Sequence, residues 1–452
     1  MGISNILFIV LLAGAAFLFY RNFGKIVRNI KLGKDLDRSD QSDVRWKTMA
    51  RVALGQSKMV TRPIAGILHI LVYIGFVIIN IEILEIVLDG VLGTHRVFAG
   101  FLGDFYVTFI NLFEILALLV LLACAVFLIR RNIVKIERFW KPEMKGWPAS
   151  DANYILFIEI LLMSAFLIMN AADTVLMNIP YEDISATSLA HYGETGLVNP
   201  SFVVSDFLIG WLPNDPNTLA FIERACWWFH IVGIFAFLNY LVISKHLHIL
   251  LAFPNTYFSN LYPKGRFDNL ASVKKEVEMM FDPSIDPYAT PPADENPAPV
   301  TFGAKDVSDL TWKQLMDAYT CTECGRCTSV CPANLTGKLL SPRKIMMDTR
   351  DRITEVGNNL DKNGPDFKDE KLLVHDYISA EELWACTTCN ACTDACPVNI
   401  DPLSIIVDLR RYLVMEQSAA PAELNGMFTN IENNGAPWQF SMADRLNWKD
   451  EN

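Results

Sequence analysis

Positive charge is in short supply in this 452-residue sequence, where 39 Lys and Arg face 50 Asp and Glu for a formal net charge of −11. No basic groove able to neutralise a phosphate backbone is available, which excludes nucleic acid as a partner. There is no low-complexity tract and no fixed-period repeat beyond a doubled cysteine motif, so solenoids and low-complexity arrays are excluded as well. Histidine is scarce, at seven residues, and residues 178 to 223 contain neither Lys nor Arg. The first apolar run lacks the leading positive charges of a secretory signal: Arg21, Lys25 and Arg28 follow it, so it reads as a retained helix with its N-terminus outside. Cysteine is confined. Eight of the ten lie in two tight groups, which in a reducing compartment means metal ligation and not a disulfide framework. Cys124 and Cys226 sit in apolar runs and read as ordinary buried thiols.

What is abundant is apolar side chain, 52% of the residues. Five runs, near residues 3–20, 64–88, 105–129, 154–177 and 219–243, approach or exceed the roughly 20 helical residues that cross a hydrocarbon core. Basic residues orient them. Residues 21 to 62 hold eleven Lys or Arg and residues 130 to 145 hold six, whereas the other two loops hold Arg96 alone. The rich loops are expected in the cytoplasm, and five spans then place everything after residue 253 there too.

Polar groups at membrane depth are costly and usually functional. His69 lies early in the second run, in RPIAGILHILVYIGF, and the fifth carries His230, His246 and His248 in WWFHIVGIFAFLNYLVISKHLHIL. At 100° per residue, His230 and His248 share one face of a continuous helix about 27 Å apart, while His246 points about 160° from His230. Two imidazoles on one stripe suit a helix that ligates two stacked b-type haems. His69 is the natural partner for His248, with His246 the fallback, and His95 is the one histidine placed to fold back toward His230. The alternative is that His95 and His230 are interfacial and that one haem or none is bound. Glu82, Glu114 and Glu159 are acids within apolar runs that could relay protons to a quinone or be structural.

After the fifth run, AFPNTYFSNLYPKGRF is expected along the inner leaflet, followed by FDPSIDPYATPPADENPAPV, whose six prolines make a spacer. Two motifs follow. CTECGRCTSVCP carries Cys321, Cys324, Cys327 and Cys331; CTTCNACTDACP carries Cys386, Cys389, Cys392 and Cys396. Both have the C-x2-C-x2-C-x3-C-P form, in which the fourth cysteine ligates the other cluster. One [4Fe–4S] cluster is therefore expected on Cys321, Cys324, Cys327 and Cys396, and a second on Cys386, Cys389, Cys392 and Cys331. Zinc would need four ligands from two short pairs. The intervening stretches SPRKIMMDTRDRI and AEELWAC read as helices, and NNLDKNGPDFKDE as a loop.

The cysteine half, TCTECGRCTSVCPANLTGKLLSPRKI with ELWACTTCNACTDACPVNIDPLSIIVDLRRYLVMEQ, resembles the iron–sulfur subunit of the heterodisulfide reductase family. The membrane half resembles the cytochrome b subunit of that family and of respiratory nitrate reductase, five helices with histidines on the second and fifth. Carried over by position, His69, His230 and His248 match the haem-ligand pattern. Nitrate reductase relatives have a further histidine about three turns after the first; here VIINIEIL supplies none, so the resemblance gives no second ligand for an outer haem. Fused relatives continue past a phrase like NNGAPWQFSMADRLNW into a domain with CCG motifs, absent here, which leads us to expect the terminal redox site on a separate partner.

These readings give a mainly α protein, a five-helix transmembrane bundle followed by a cytoplasmic α-helical ferredoxin-type domain. The expected parts are a haem b domain (1–253), an interfacial segment and linker (254–305), a two-cluster ferredoxin domain (306–416) and a tail for partner docking (417–452). The expected role is electron relay in the bacterial or archaeal inner membrane, between menaquinone or another quinone and a cytoplasmic partner. That partner is either a CCG-domain protein of the heterodisulfide reductase B type or an electron-transfer flavoprotein. A redox sensor or scaffold without turnover is the rival from another class.

Overall fold

In the computed structural model, residues 2–180, 189–193, 195, 197, 199–282, 284 and 301–450 are described. Of the proline-rich spacer at 281–300, only residues 281, 282 and 284 lie among them. Five helices are long and apolar enough to cross a membrane: α1 (Ile3–Ile30), α2 (Pro63–Leu92), α3 (Phe105–Asn132), α4 (Trp147–Met177) and α5 (Pro216–Tyr240, continued by a 3-10 turn to Ile243). No β-strand occurs among the described residues. Most of the helices overrun the apolar stretches that reveal them, because hydropathy marks only the part in hydrocarbon while the backbone stays helical into polar surroundings; α1 runs on through Arg21 and Arg28 to Ile30.

Starts follow local chemistry. Pro63 and Pro216 stand in the first turn, where a missing amide costs nothing, and Asp215 accepts from the Thr218 amide at 2.8 Å. Small residues let the bundle close. A Cβ on Gly75 would meet Val120 of α3 at 2.4 Å, and one on Gly233 would meet Leu162 of α4 at 2.7 Å. Leu162, Phe166, Phe113, Ile110 and Ile231 fill the resulting core.

Beyond α5 the chain forms α6 (His248–Tyr257), then α7 (Trp312–Thr320), α8 (Pro342–Asn363) and α9 (Pro402–Met415), which enclose the cysteine loops, and finally an exposed α10 (Ala422–Asn434). α6 crosses the boundary drawn at 253/254. It does not lie free along a leaflet, for Leu251 belongs to the core of the cysteine half, and Asn255 donates to Val398 O at 3.0 Å and accepts from Lys313 Nζ at 3.0 Å. α8 also continues through the first six residues of the expected loop, stopping where Gly364 takes φ +99°.

The cysteine half docks on the same end of the bundle that carries the basic loops. Arg343 reaches Arg138 O and Glu143, each at 2.6 Å; Asn29 donates to Tyr319 Oη at 2.9 Å; and Gly357 leaves room for Asn29, whose amide a Cβ would strike at 2.3 Å. Arg45, fully buried, ties Asp40 to the carbonyls of Tyr257 and Ser259.

Candidate functional site

Cys321, Cys324 and Cys327 ring one cavity together with Cys396 of the other motif, while Cys386, Cys389 and Cys392 ring a second together with Cys331. This is the crossed partition that the motif spacing implies. Within the first motif, positive φ at Glu323 and Gly325 lets three cysteines turn inward on a short loop. The fourth stands in extended backbone just before Pro332 or Pro397 and is carried to the neighbouring loop.

The rings are suited to polynuclear iron. Among the described residues no three His, Cys, Asp or Glu side chains close around a single ion, whereas each cavity presents four sulfurs. Backbone amides point at sulfur, Thr388 N to Cys386 Sγ at 3.4 Å and Ile400 N to Cys396 Sγ at 3.3 Å. Burial pushes the Cys321, Cys392 and Cys396 thiols up to about 12, so thiolates here require internal positive charge, which a cluster supplies. The rings are neighbours, close enough for Cys327 and Cys392 to repel as anions. Cys389 is exposed, which gives the second ring an open side.

Next to Lys245, which pairs with Glu323 of the cysteine half, lies a group of histidines. The His69 and His248 rings are 6.4 Å apart, centroid to centroid. Two imidazoles on opposite sides of one metal, at bond lengths of about 2.0–2.1 Å, would put their centroids roughly 6 to 6.5 Å apart, against about 5 Å at a tetrahedral angle. His248 Nδ1 faces Lys245 O at 3.1 Å; a carbonyl can only accept, so Nδ1 carries the hydrogen and Nε2 keeps its lone pair. His69 Nδ1 is buried without a hydrogen-bond partner.

The expected direction of His246 is corrected here. Its ring is 5.5 Å from that of His248, within the same group. The angular argument assumed one continuous helix, but α5 ends and Ser244 takes φ −113°, ψ 153° before a 3-10 turn leads into α6. Asp151 holds the break, accepting from Ser244 Oγ at 2.7 Å and Lys245 N at 3.0 Å, and Ser244 Oγ caps His246 N at 3.1 Å. Burial, then the neighbouring imidazoles, lowers His246 to about 3, which leaves it neutral at physiological pH.

His230 and His95 are not brought together. His230 is buried, with Nδ1 2.9 Å from Leu162 O and its ring against Phe166. His95 faces Asp173 Oδ1 at 2.9 Å and Arg224 Nη2 at 3.5 Å, and packs on His191 and Tyr192. Basic residues link the two halves around the first ring. Lys58 Nζ contacts the carbonyl of Cys396 at 3.2 Å, Arg326 holds the carbonyls of Lys58 and Met59, Arg62 meets Ser329 at 2.6 Å, and Lys245 pairs with Glu323. Asp151 and Ser244 went unremarked in the sequence; an Asp just before the fourth apolar run was the one available sign.

Residues 320–400 match the 4Fe–4S dicluster domain family, so a dicluster domain is joined to five helices long and apolar enough to cross a membrane. The chain's relatives bear out the resemblance to the heterodisulfide reductases. It is 27% identical over 99% of its length to a probable iron–sulfur-binding oxidoreductase, FadF, of Bacillus subtilis, covering 61% of that protein. It is 26% identical over 98% of its length to the EtfAB:quinone oxidoreductase of Syntrophomonas wolfei, covering 59%. Over 24% of the chain it is 33% identical to a component of the ferredoxin-dependent CoB-CoM heterodisulfide reductase of Methanosarcina acetivorans, of which it covers 52%. The chain thus spans about three fifths of the two relatives that match nearly all of it. No solved structure matches significantly.

Proposed function

We propose that this chain conducts electrons between a quinone, menaquinone by the family resemblance, and a cytoplasmic redox partner. A b-type haem held by His69 and His248 supplies a one-electron carrier at the inner end of the bundle. Cys321, Cys324, Cys327 and Cys396 would hold one cluster and Cys386, Cys389, Cys392 and Cys331 the other, whose exposed Cys389 would face a partner. The observation that carries this reading is the His69–His248 spacing of 6.4 Å. The protein's part is to fix carrier order and spacing.

The ferredoxin domain faces the cytoplasm of an inner-membrane protein in this reading, supported by its docking on the basic loops. The relative named EtfAB:quinone oxidoreductase, matched over almost the whole chain, favours an electron-transfer flavoprotein as the partner. A CCG-type heterodisulfide reductase protein is the second reading, favoured by the match of the cysteine half to the Methanosarcina heterodisulfide reductase.

The test is a reduced-minus-oxidised spectrum of purified variants. His69→Ala and His248→Ala should each abolish the same b-type absorbance. Retention of that absorbance in both removes the haem from this pair and leaves a membrane-tethered dicluster protein.

A further inference from the structure

The two cysteine rings stand in unequal electrostatic surroundings. The cavity of the first has Arg326 and Arg343 in its lining, whereas no charged side chain lines the cavity of the second. Further cations close on the first ring from the membrane half. Lys58 Nζ, from the loop before α2, contacts the carbonyl of Cys396 at 3.2 Å and that of Asp394 at 3.3 Å. Arg62, from the same loop, meets Ser329 Oγ at 2.6 Å, and a Cβ on Gly325 would meet that of Arg138 at 3.4 Å. Arg326, 4% exposed, donates to the carbonyls of Lys58 and Met59 at 3.0 and 3.3 Å.

What these cations lack is counter-charge. Among the described residues, Lys58, Arg62 and Arg326 meet carbonyls, hydroxyls and the Met59 sulfur but no carboxylate. Arg343 is matched by Glu143, and Glu323, the one acid in the first motif, is held between Lys245 and Arg350. At the second ring one cation is set against one anion: Arg410 donates to the carbonyls of Leu383 and Cys386, and Asp401 accepts from Thr393 Oγ1 at 3.0 Å. Burial raises the Cys386 and Cys392 thiols; Arg410 opposes the rise at Cys386, and Asp401 adds to it at Cys392.

A cluster that takes up an electron becomes more negative, so a fixed cation beside it favours the reduced form and raises its potential. One unit charge about 10 Å away, at an effective dielectric of about 20, changes the ratio of reduced to oxidised cluster roughly tenfold. Water at the exposed Cys389 acts in the same sense on the second cluster, but it reaches one ligand, whereas three cations are fixed around the first. We propose that Lys58, with Arg62 and Arg326, sets the cluster on Cys321, Cys324, Cys327 and Cys396 at the higher potential of the two, so that a protein carrying one electron holds it there, against the basic loops of the membrane half. The proposal rests on the two-cluster part of the reading above and is independent of the haem. The step it governs is the passage of one electron from the second cluster, which is oxidised, to the first, which is reduced; no bond forms or breaks.

Anaerobic redox titration of the full chain in detergent, followed by electron paramagnetic resonance, provides the test, with the signal lost in Cys331→Ser assigned to the second cluster. In the wild type the first cluster should fill before the second. Lys58→Met should lower the reduced-to-oxidised ratio of the first cluster at a fixed ambient potential about tenfold, which is about 59 mV for a one-electron couple, and move the second by less. Lys58→Arg should restore the wild-type value. Iron and acid-labile sulfide at about eight each per chain, before any haem iron, separate tuning from cluster loss. An unmoved first midpoint in Lys58→Met with both clusters in place overturns the proposal, and so does a wild type whose second cluster fills first. That wild-type order decides alone if Lys58→Met assembles no clusters. About four iron and four sulfide in the wild type overturn the two-cluster reading itself.

Discussion

At the residue scale, the cysteines and the histidines obey different rules. A cysteine motif works through spacing along a short loop, so its meaning survives any rearrangement of the surrounding helices. Cys331 shows the consequence: it belongs to the first motif in sequence and to the second ring in space. Cys331→Ser should therefore damage the cluster whose other ligands are Cys386, Cys389 and Cys392, and leave the signal of the first cluster intact in the electron resonance spectrum. An altered first cluster with an unchanged second would reverse the assignment. Histidines depend on where a helix bends. His246 and His248 both face the His69 side because the backbone between α5 and α6 is broken, which no residue-by-residue rotation anticipates.

At the element scale, the break at Ser244 is held by one buried carboxylate. Asp151, in the first turns of α4, gathers the hydroxyls of Tyr240 and Ser244 and the amide of Lys245, three donors at the end of a helix that have no other acceptor at hand. Asp151→Ala should leave these donors unpaired and cost about 2–3 kcal/mol, read as a lower thermal midpoint of the detergent-solubilised protein. If the histidine group is haem-binding, its absorbance should weaken in the same variant. An unshifted midpoint would mean that water takes over the role of the carboxylate. α6 is the complementary case. Its second half begins the stretch expected along the inner leaflet, and its buried face forms part of the core of the cysteine half, so the two halves share a structural element and not just a tether.

At the scale of the whole molecule, the ferredoxin half is clamped to the basic end of the bundle by contacts from α1, from the loops before α2 and α4, and from the α5–α6 junction. The basic loops form the docking surface. A cysteine introduced at Gly193, on the opposite end, should react with a membrane-impermeant label in intact cells, and a reporter fused after Asn452 should be active only inside. Labelling at Gly193 only after lysis would invert the topology.

The sequence by itself determined the five spanning helices, because 20-residue apolar runs have few other solutions in water or lipid, and it determined the partition of the eight cysteines, because ligand spacing within a loop is local. It also placed His69 and His248 near one another, since antiparallel helices of known length fix relative depth. Only the tertiary structure decided where His246 and His95 point, and that Glu85 and Asp89 join Arg96 and Asp173 in one network. Those outcomes hang on a broken helix and on partners as much as 129 residues apart, and hydrogen bonds between distant segments leave no period in the sequence that would reveal them.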